Sequence, residues 1–162
     1  MTYNKEEVKK IINRDNPNYK EIANTFSEAD IPLITELVRE PDKSVSAKAL
    51  VILSLMDFDS TYEGIEFAVN SNDPILKISA AQALRNKLSM QTSGNDLIPN
   101  KITELLNKLN SDEDAGVKKY TRNSINSKEG YSANFNMEND KSLNQKIKRK
   151  LKNLSRKFNK YF

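Results

Sequence analysis

The chain has 162 residues, 30% of them charged, with a net charge of +4 and a mean hydropathy of −0.70, which bounds it to one soluble domain with room for a core. It contains no His, Cys or Trp, so disulfides, thiol nucleophiles, Ser-His-Asp triads and zinc or haem sites built on His or Cys are excluded. Its four glycines, at positions 64, 94, 116 and 130, are too scattered to write a phosphate-binding loop.

The first residues, Met1-Thr2-Tyr3-Asn4-Lys5-Glu6-Glu7, lack the apolar stretch of a signal peptide. Residues 6–13 then place Val8, Ile11 and Ile12 at helical spacing. Asn16-Pro17 predicts the start of a second helix through Ile22, Ala23 and Phe26, with Asn16 as N-cap and Pro17 at the first helical position. Asp30-Ile31-Pro32 opens a third, carrying Ile34, Leu37 and Val38. Asp42 caps a fourth that is apolar nearly all round, as befits a helix buried on several sides. Its mostly apolar run, 47–56, is too short to span a bilayer, so a cytoplasmic location is expected.

Asp57, Asp59 and Glu63 then come close together. A calcium loop needs a Gly at the turn and a bidentate acid at the end, and neither is present, so this stretch reads as an interhelical turn. A fifth helix follows through Ile65, Phe67 and Ala68, and a sixth begins at Asp73-Pro74. Residues 90–96, polar and containing Gly94, read as a loop insertion. Leu97-Ile98-Pro99 opens a seventh helix through Ile102, Leu105 and Leu106, and Asp114 caps an eighth through Val117, Thr121 and Ile125. No segment alternates with period two, so the expected class is all-α.

The even-numbered helices repeat a pattern. Asp42-Lys43-Ser44-Val45, Asp73-Pro74-Ile75-Leu76 and Asp114-Ala115-Gly116-Val117 each place an acid three residues before an aliphatic residue. Four residues further on stand Ala49, Ala80 and Thr121, and after another four Leu53, Leu84 and Ile125. The weaker copy from Asn16 has Ala23 in the first of these places and Ser27 in the second. The odd-numbered helices repeat too: Ile34-Thr35-Glu36-Leu37-Val38 nearly duplicates Ile102-Thr103-Glu104-Leu105-Leu106. Repeats of this length mark stacked helix pairs, none of which has enough core to stand alone.

Residues 5–126 thus resemble the HEAT-repeat family, whose second helices begin with an Asp, then an aliphatic residue and Arg, then an Ala-rich stretch ending in Leu. The segment from Asp73 to Leu84 matches best, with Lys77 in the Arg place; Ser46 departs from the pattern and Lys118 keeps the charge. The resemblance implies a right-handed α-solenoid of about four helix pairs over residues 1–126. It also implies that the second helices face a partner, through Lys77, Arg85, Lys119 and Arg122. HEAT-like hydroxylases need His-Glu pairs, and solenoid DNA glycosylases commonly use Trp. This chain has neither His nor Trp.

The charge is uneven. Residues 1–140 hold 17 Lys and Arg against all 22 acids, a net of −5, and residues 141–162 hold nine Lys and Arg and no acid. Between them, 127–140 reads as a polar linker. In 141–162, Leu143, Ile147, Leu151, Leu154, Phe158, Tyr161 and Phe162 fall within about a 100° arc of a helix, and every cation lies outside it. Such a basic amphipathic helix fits four roles. It could cap the repeats, contact the acidic body, bind an anionic membrane surface, or bind nucleic acid through Lys146, Lys148, Arg149, Lys150 and Lys152.

No catalytic, cofactor-binding or metal-ligating set is expected, and no small-molecule substrate. The leading expectation is a non-enzymatic scaffold or adaptor that binds a protein partner. A nucleic-acid-binding protein is the alternative, and an inhibitor or immunity-type protein that blocks one target is the third.

Overall fold

A computed structural model describes residues 3–15, 17–91 and 100–126. They form eight α-helices and two 3-10 turns with no strand among them, in agreement with the all-α expectation. The linker and basic helix read at 127–140 and 141–162 lie outside the described residues.

Helix α1, Lys5–Ile12, starts with a reciprocal cap. The Glu7 amide donates to Asn4 Oδ1 at 3.0 Å, and the Asn4 amide donates to Glu7 Oε2 at 2.9 Å, satisfying two donors that a helix start leaves open. Helix α2, Tyr19–Thr25, is capped by Asn18, whose Oδ1 accepts from the Glu21 amide at 3.4 Å. This corrects the expected start. Pro17 stands before the cap rather than inside the helix, and Asn18 takes the place assigned to Asn16, which lies outside the described residues.

Helix α3, Ile31–Val38, follows the 3-10 turn Glu28–Asp30. Asp30 does not cap it with its side chain; the buried carboxylate instead accepts from the Ser27 amide and hydroxyl, both at 2.8 Å. Helix α4, Lys43–Leu55, starts where expected, with Asp42 Oδ1 accepting from Ser44 at 2.9 Å and Val45 at 3.4 Å. A second 3-10 turn, Asp59–Thr61, leads into α5, Tyr62–Val69.

Helix α6, Pro74–Gln91, is the longest, and Asp73 caps it through the amides of Ile75 and Leu76 at 2.8 and 3.4 Å. It runs through Met90 and Gln91, which were expected to open a loop. Neither residue disfavours a helix, and the first Gly comes only at 94; residues 92–96 lie outside the described residues. Helix α7, Asn100–Asn110, and helix α8, Ala115–Asn126, close the series, with Asp114 Oδ1 accepting from Val117 at 2.9 Å.

The packing alternates. Helix α2 packs on α4, α4 on α6 and α6 on α8, while α1 packs on α3, α3 on α5 and α5 on α7. Each odd-numbered helix also packs on the even-numbered helix that follows it. The aligned small residues lie inside: Ala23, Ala49, Ala80 and Thr121 are all buried, and so are Leu53 and Leu84 one turn later. Each buried leucine contributes roughly 1.5–3 kcal/mol through removal of its side chain from water.

Gly64 on α5 permits a close approach to α4 and α3. A methyl group there would lie 2.5 Å from Leu53 Cδ1 on α4 and 3.2 Å from Thr35 Oγ1 on α3. Buried hydroxyls on α4 are satisfied by nearby carbonyls: Ser46 Oγ donates to Glu40 O at 2.9 Å, and Ser54 Oγ to Val51 O at 2.6 Å. Among the described residues, no helix is long and apolar enough to cross a membrane.

Candidate binding face

Charge is sorted by helix. Helices α4, α6 and α8 contain no acid and eight cations: Lys43 and Lys48, then Lys77, Arg85 and Lys87, then Lys118, Lys119 and Arg122. The helical acids lie instead on α1, α2, α3, α5 and α7. There they pair along the odd-numbered series. Lys5 and Lys9 meet Glu40 just after α3, Arg39 meets Glu63 on α5, and Lys101 on α7 meets Glu66 on α5. The Lys5–Glu40 contact, 2.6 Å long, raises the lysine pKa and lowers that of the carboxylate, chiefly through the shared hydrogen bond.

Two of the eight cations are neutralised within the repeats. Lys43 lies 2.6 Å from Asp73, the cap of α6, and Lys77 lies 2.6 Å from Asp112, just before α8. Each lysine holds its carboxyl group below the usual carboxylate range, again mainly by hydrogen bonding.

The outward side of these helices is correspondingly poor in charge. On α4, Ala47, Lys48, Val51 and Leu55 are half-buried. On α6, Ile78, Ser79, Gln82 and Asn86 are half-buried and Ile75 is 60% exposed. On α8, Tyr120 is half-buried and Asn123 exposed.

A hydrogen-bonded relay crosses all three helices. Tyr120 Oη donates to Gln82 Oε1 at 2.8 Å, Gln82 Nε2 to Asn86 Oδ1 at 3.2 Å, and Asn86 Nδ2 to Ser54 Oγ at 2.9 Å. The relay fixes the amides in place and leaves a face of aliphatic and amide groups. Depletion of charge at the centre of a patch is a mark of protein–protein interfaces.

The four cations expected on this face fare differently. Lys77 is turned to Asp112, and Arg122 Nε donates to Asn110 Oδ1 at 2.9 Å, so both have intramolecular partners. Arg85 is half-buried and Lys119 exposed, each one helical step to the side of the relay residues. Lys146, Lys148, Arg149, Lys150 and Lys152 lie outside the described residues.

A further cation, Lys87, was not anticipated. It is 4% exposed; its Nζ donates to the Met56 carbonyl at the C-terminal end of α4 and lies 5.2 Å from the Tyr62 ring centroid. Burial pushes its pKa down to about 8, against the opposing pull of Asp57 and Asp59. Burial also raises the Tyr62 pKa, with Asp59 and Asp57 adding to the effect.

The acids at 57, 59 and 63 therefore serve two structural partners: the first two lie in the field of Lys87, and Glu63 pairs with Arg39. Among the described residues, no group of three or more acids is placed to hold a metal ion. The sequence signal for Lys87 was its position, three residues after Leu84 and seven after Ala80, on the side of α6 that faces the core. The relay left a fainter signal, the i, i+4 pair of Gln82 and Asn86.

No family model, curated protein or solved structure matches the chain.

Proposed function

We propose that the repeats form a HEAT-like, right-handed α-solenoid and act as a non-enzymatic protein-binding module through the outward side of α4, α6 and α8. The alternating helix contacts and the buried small residues at equivalent positions support the solenoid. The binding reading is carried by one observation. The relay from Tyr120 to Ser54 holds the side chains of an acid-free face rich in aliphatic and amide groups, in a chain of which 30% is charged overall. Pre-ordered side chains of this kind lower the entropic cost of docking.

The test is affinity capture from native lysate with the wild-type chain and with Val51→Asp and Ile78→Asp. Lys10→Ala on α1 serves as the control. The reading predicts one stoichiometric protein partner that is retained at high salt, lost with both Asp variants and kept by the control. Capture unaffected by either Asp variant would overturn it.

The acid-free helices, with their eight cations, also favour a second reading, contact with nucleic-acid phosphates. Recovery of nucleic acid that dissociates steeply as salt rises would establish that reading instead.

A further inference from the structure

A groove of about 580 Å³ lies at the turns between α3 and α4 and between α5 and α6, away from the relay. Its volume is within the range of small-ligand pockets. Buried Val38 and Leu76 supply apolar lining, and Phe67, 39% exposed, supplies an accessible ring.

Two cations border this lining, Arg39 and Lys43, each with 47% of its side chain exposed. The Arg39 guanidinium lies 5.2 Å from the Phe67 ring centroid. Only its Nη2 is hydrogen-bonded among the described residues, to Glu63, a residue whose side chain is 71% exposed. So open a pair holds the arginine weakly.

The acids of the groove are better engaged. Glu40 takes Lys5 and Lys9, and Asp73 takes Lys43 and the amides of Ile75 and Leu76. An incoming group therefore meets an apolar floor beside the half-exposed Arg39 guanidinium, while Lys43 stays with Asp73.

We propose that this groove binds a carboxylate attached to an aromatic or aliphatic group, as an acidic polypeptide segment with an apolar anchor presents it. The anchor packs on Phe67, Val38 and Leu76, and the carboxylate accepts from Arg39. Arginine suits this role because its planar fork leaves donors for a second carboxylate after one has been engaged. The site is separate from the α4, α6 and α8 face and stands or falls independently of it.

N-acetylphenylalanine and its uncharged amide, N-acetylphenylalaninamide, are the probes. Each is titrated into the ¹⁵N-labelled full chain and followed by amide chemical shifts. The acid is expected to give saturable shifts centred on Arg39, Phe67 and Asn72, and the amide to bind about tenfold more weakly, the loss of one charge-assisted hydrogen bond. Phe67→Ala abolishes the shifts, Arg39→Gln reduces the acid to the level of the amide, and Arg39→Lys restores part of the difference. Should Phe67→Ala disturb the fold, the Arg39 variants decide alone. Equal binding of acid and amide, shifts that do not saturate, or indifference to Arg39→Gln would overturn the proposal.

Discussion

Tyr120 on α8 donates its hydroxyl to Gln82 on α6 at 2.8 Å, and through Gln82 and Asn86 it is linked to Ser54 on α4. Two residues that never touch are thus joined through shared amides. A double-mutant cycle between Tyr120→Phe and Ser54→Ala, followed by urea unfolding, should show coupling of about 0.5 kcal/mol or more. Strict additivity would mean that the relay is three separate hydrogen bonds.

Lys87 makes stability depend on pH in an unusual direction. Its folded pKa, about 8, lies below the ordinary lysine value of 10.5. Between those values the unfolded chain binds a proton that the folded chain has released, so stability rises with pH across that window. The gain is on the order of 3 kcal/mol. From the ordinary tyrosine value of 10.0 upward, Tyr62 acts oppositely: its raised pKa keeps the folded ring neutral while the unfolded one ionises, so stability falls. Urea unfolding from pH 7 to 11 should show the rise and then the fall, and Lys87→Met should remove the rise.

Gly64 and Leu53 test the core directly. Gly64→Ala places a methyl group 2.5 Å from Cδ1 of the fully buried Leu53, so one of the two must shift within the core. A loss of about 1–3 kcal/mol is expected from overpacking. Gly116→Ala, whose methyl meets only the surface carboxylate of Asp114 at 3.0 Å, is the milder comparison. Leu53→Asp, which buries a charge without a partner, should prevent stable folding. Thermal melts of the three variants check the order.

The helix caps should also separate. Asp42→Ala removes two amide contacts at the start of α4, a loss of about 1 kcal/mol. Asp73→Ala removes the equivalent cap of α6 and the Lys43 contact as well, so it should cost more. Because the folded pKa of Asp73 is depressed, its contribution is present above the ordinary carboxylate value and lost as pH falls through the folded one. The difference between wild type and Asp73→Ala should therefore shrink in acid, as unfolding at pH 7 and pH 3 would show.

The helix starts were legible where a cap acts locally. Asp42, Asp73 and Asp114 each reach amides two or three residues away, and the sequence alone carries that spacing. Asn18 shows the limit. Two asparagines flank Pro17, either of which the sequence allows as a cap, and Asn18 takes that place by accepting from the Glu21 amide. The relay was not legible because Tyr120 and Gln82 are 38 residues apart and meet only after α8 packs on α6. The intramolecular partners of Lys77 and Arg122 were not legible either, since Asp112 and Asn110 reach them only in the folded chain. The uneven charge was visible as a net value for residues 1–140, but the absence of acids from α4, α6 and α8 needed the helix boundaries.

The covered amine of Lys87 also acts as a chemical clock. With a pKa of about 8, it is neutral, and so nucleophilic, at a pH where ordinary surface lysines remain protonated. Yet it is 4% exposed, and its Nζ is tied to the Met56 carbonyl at the end of α4. An acylating reagent would reach it only when the packing around it opens. The rate of Lys87 labelling, set against that of exposed Lys119, would therefore time that local opening in the intact chain.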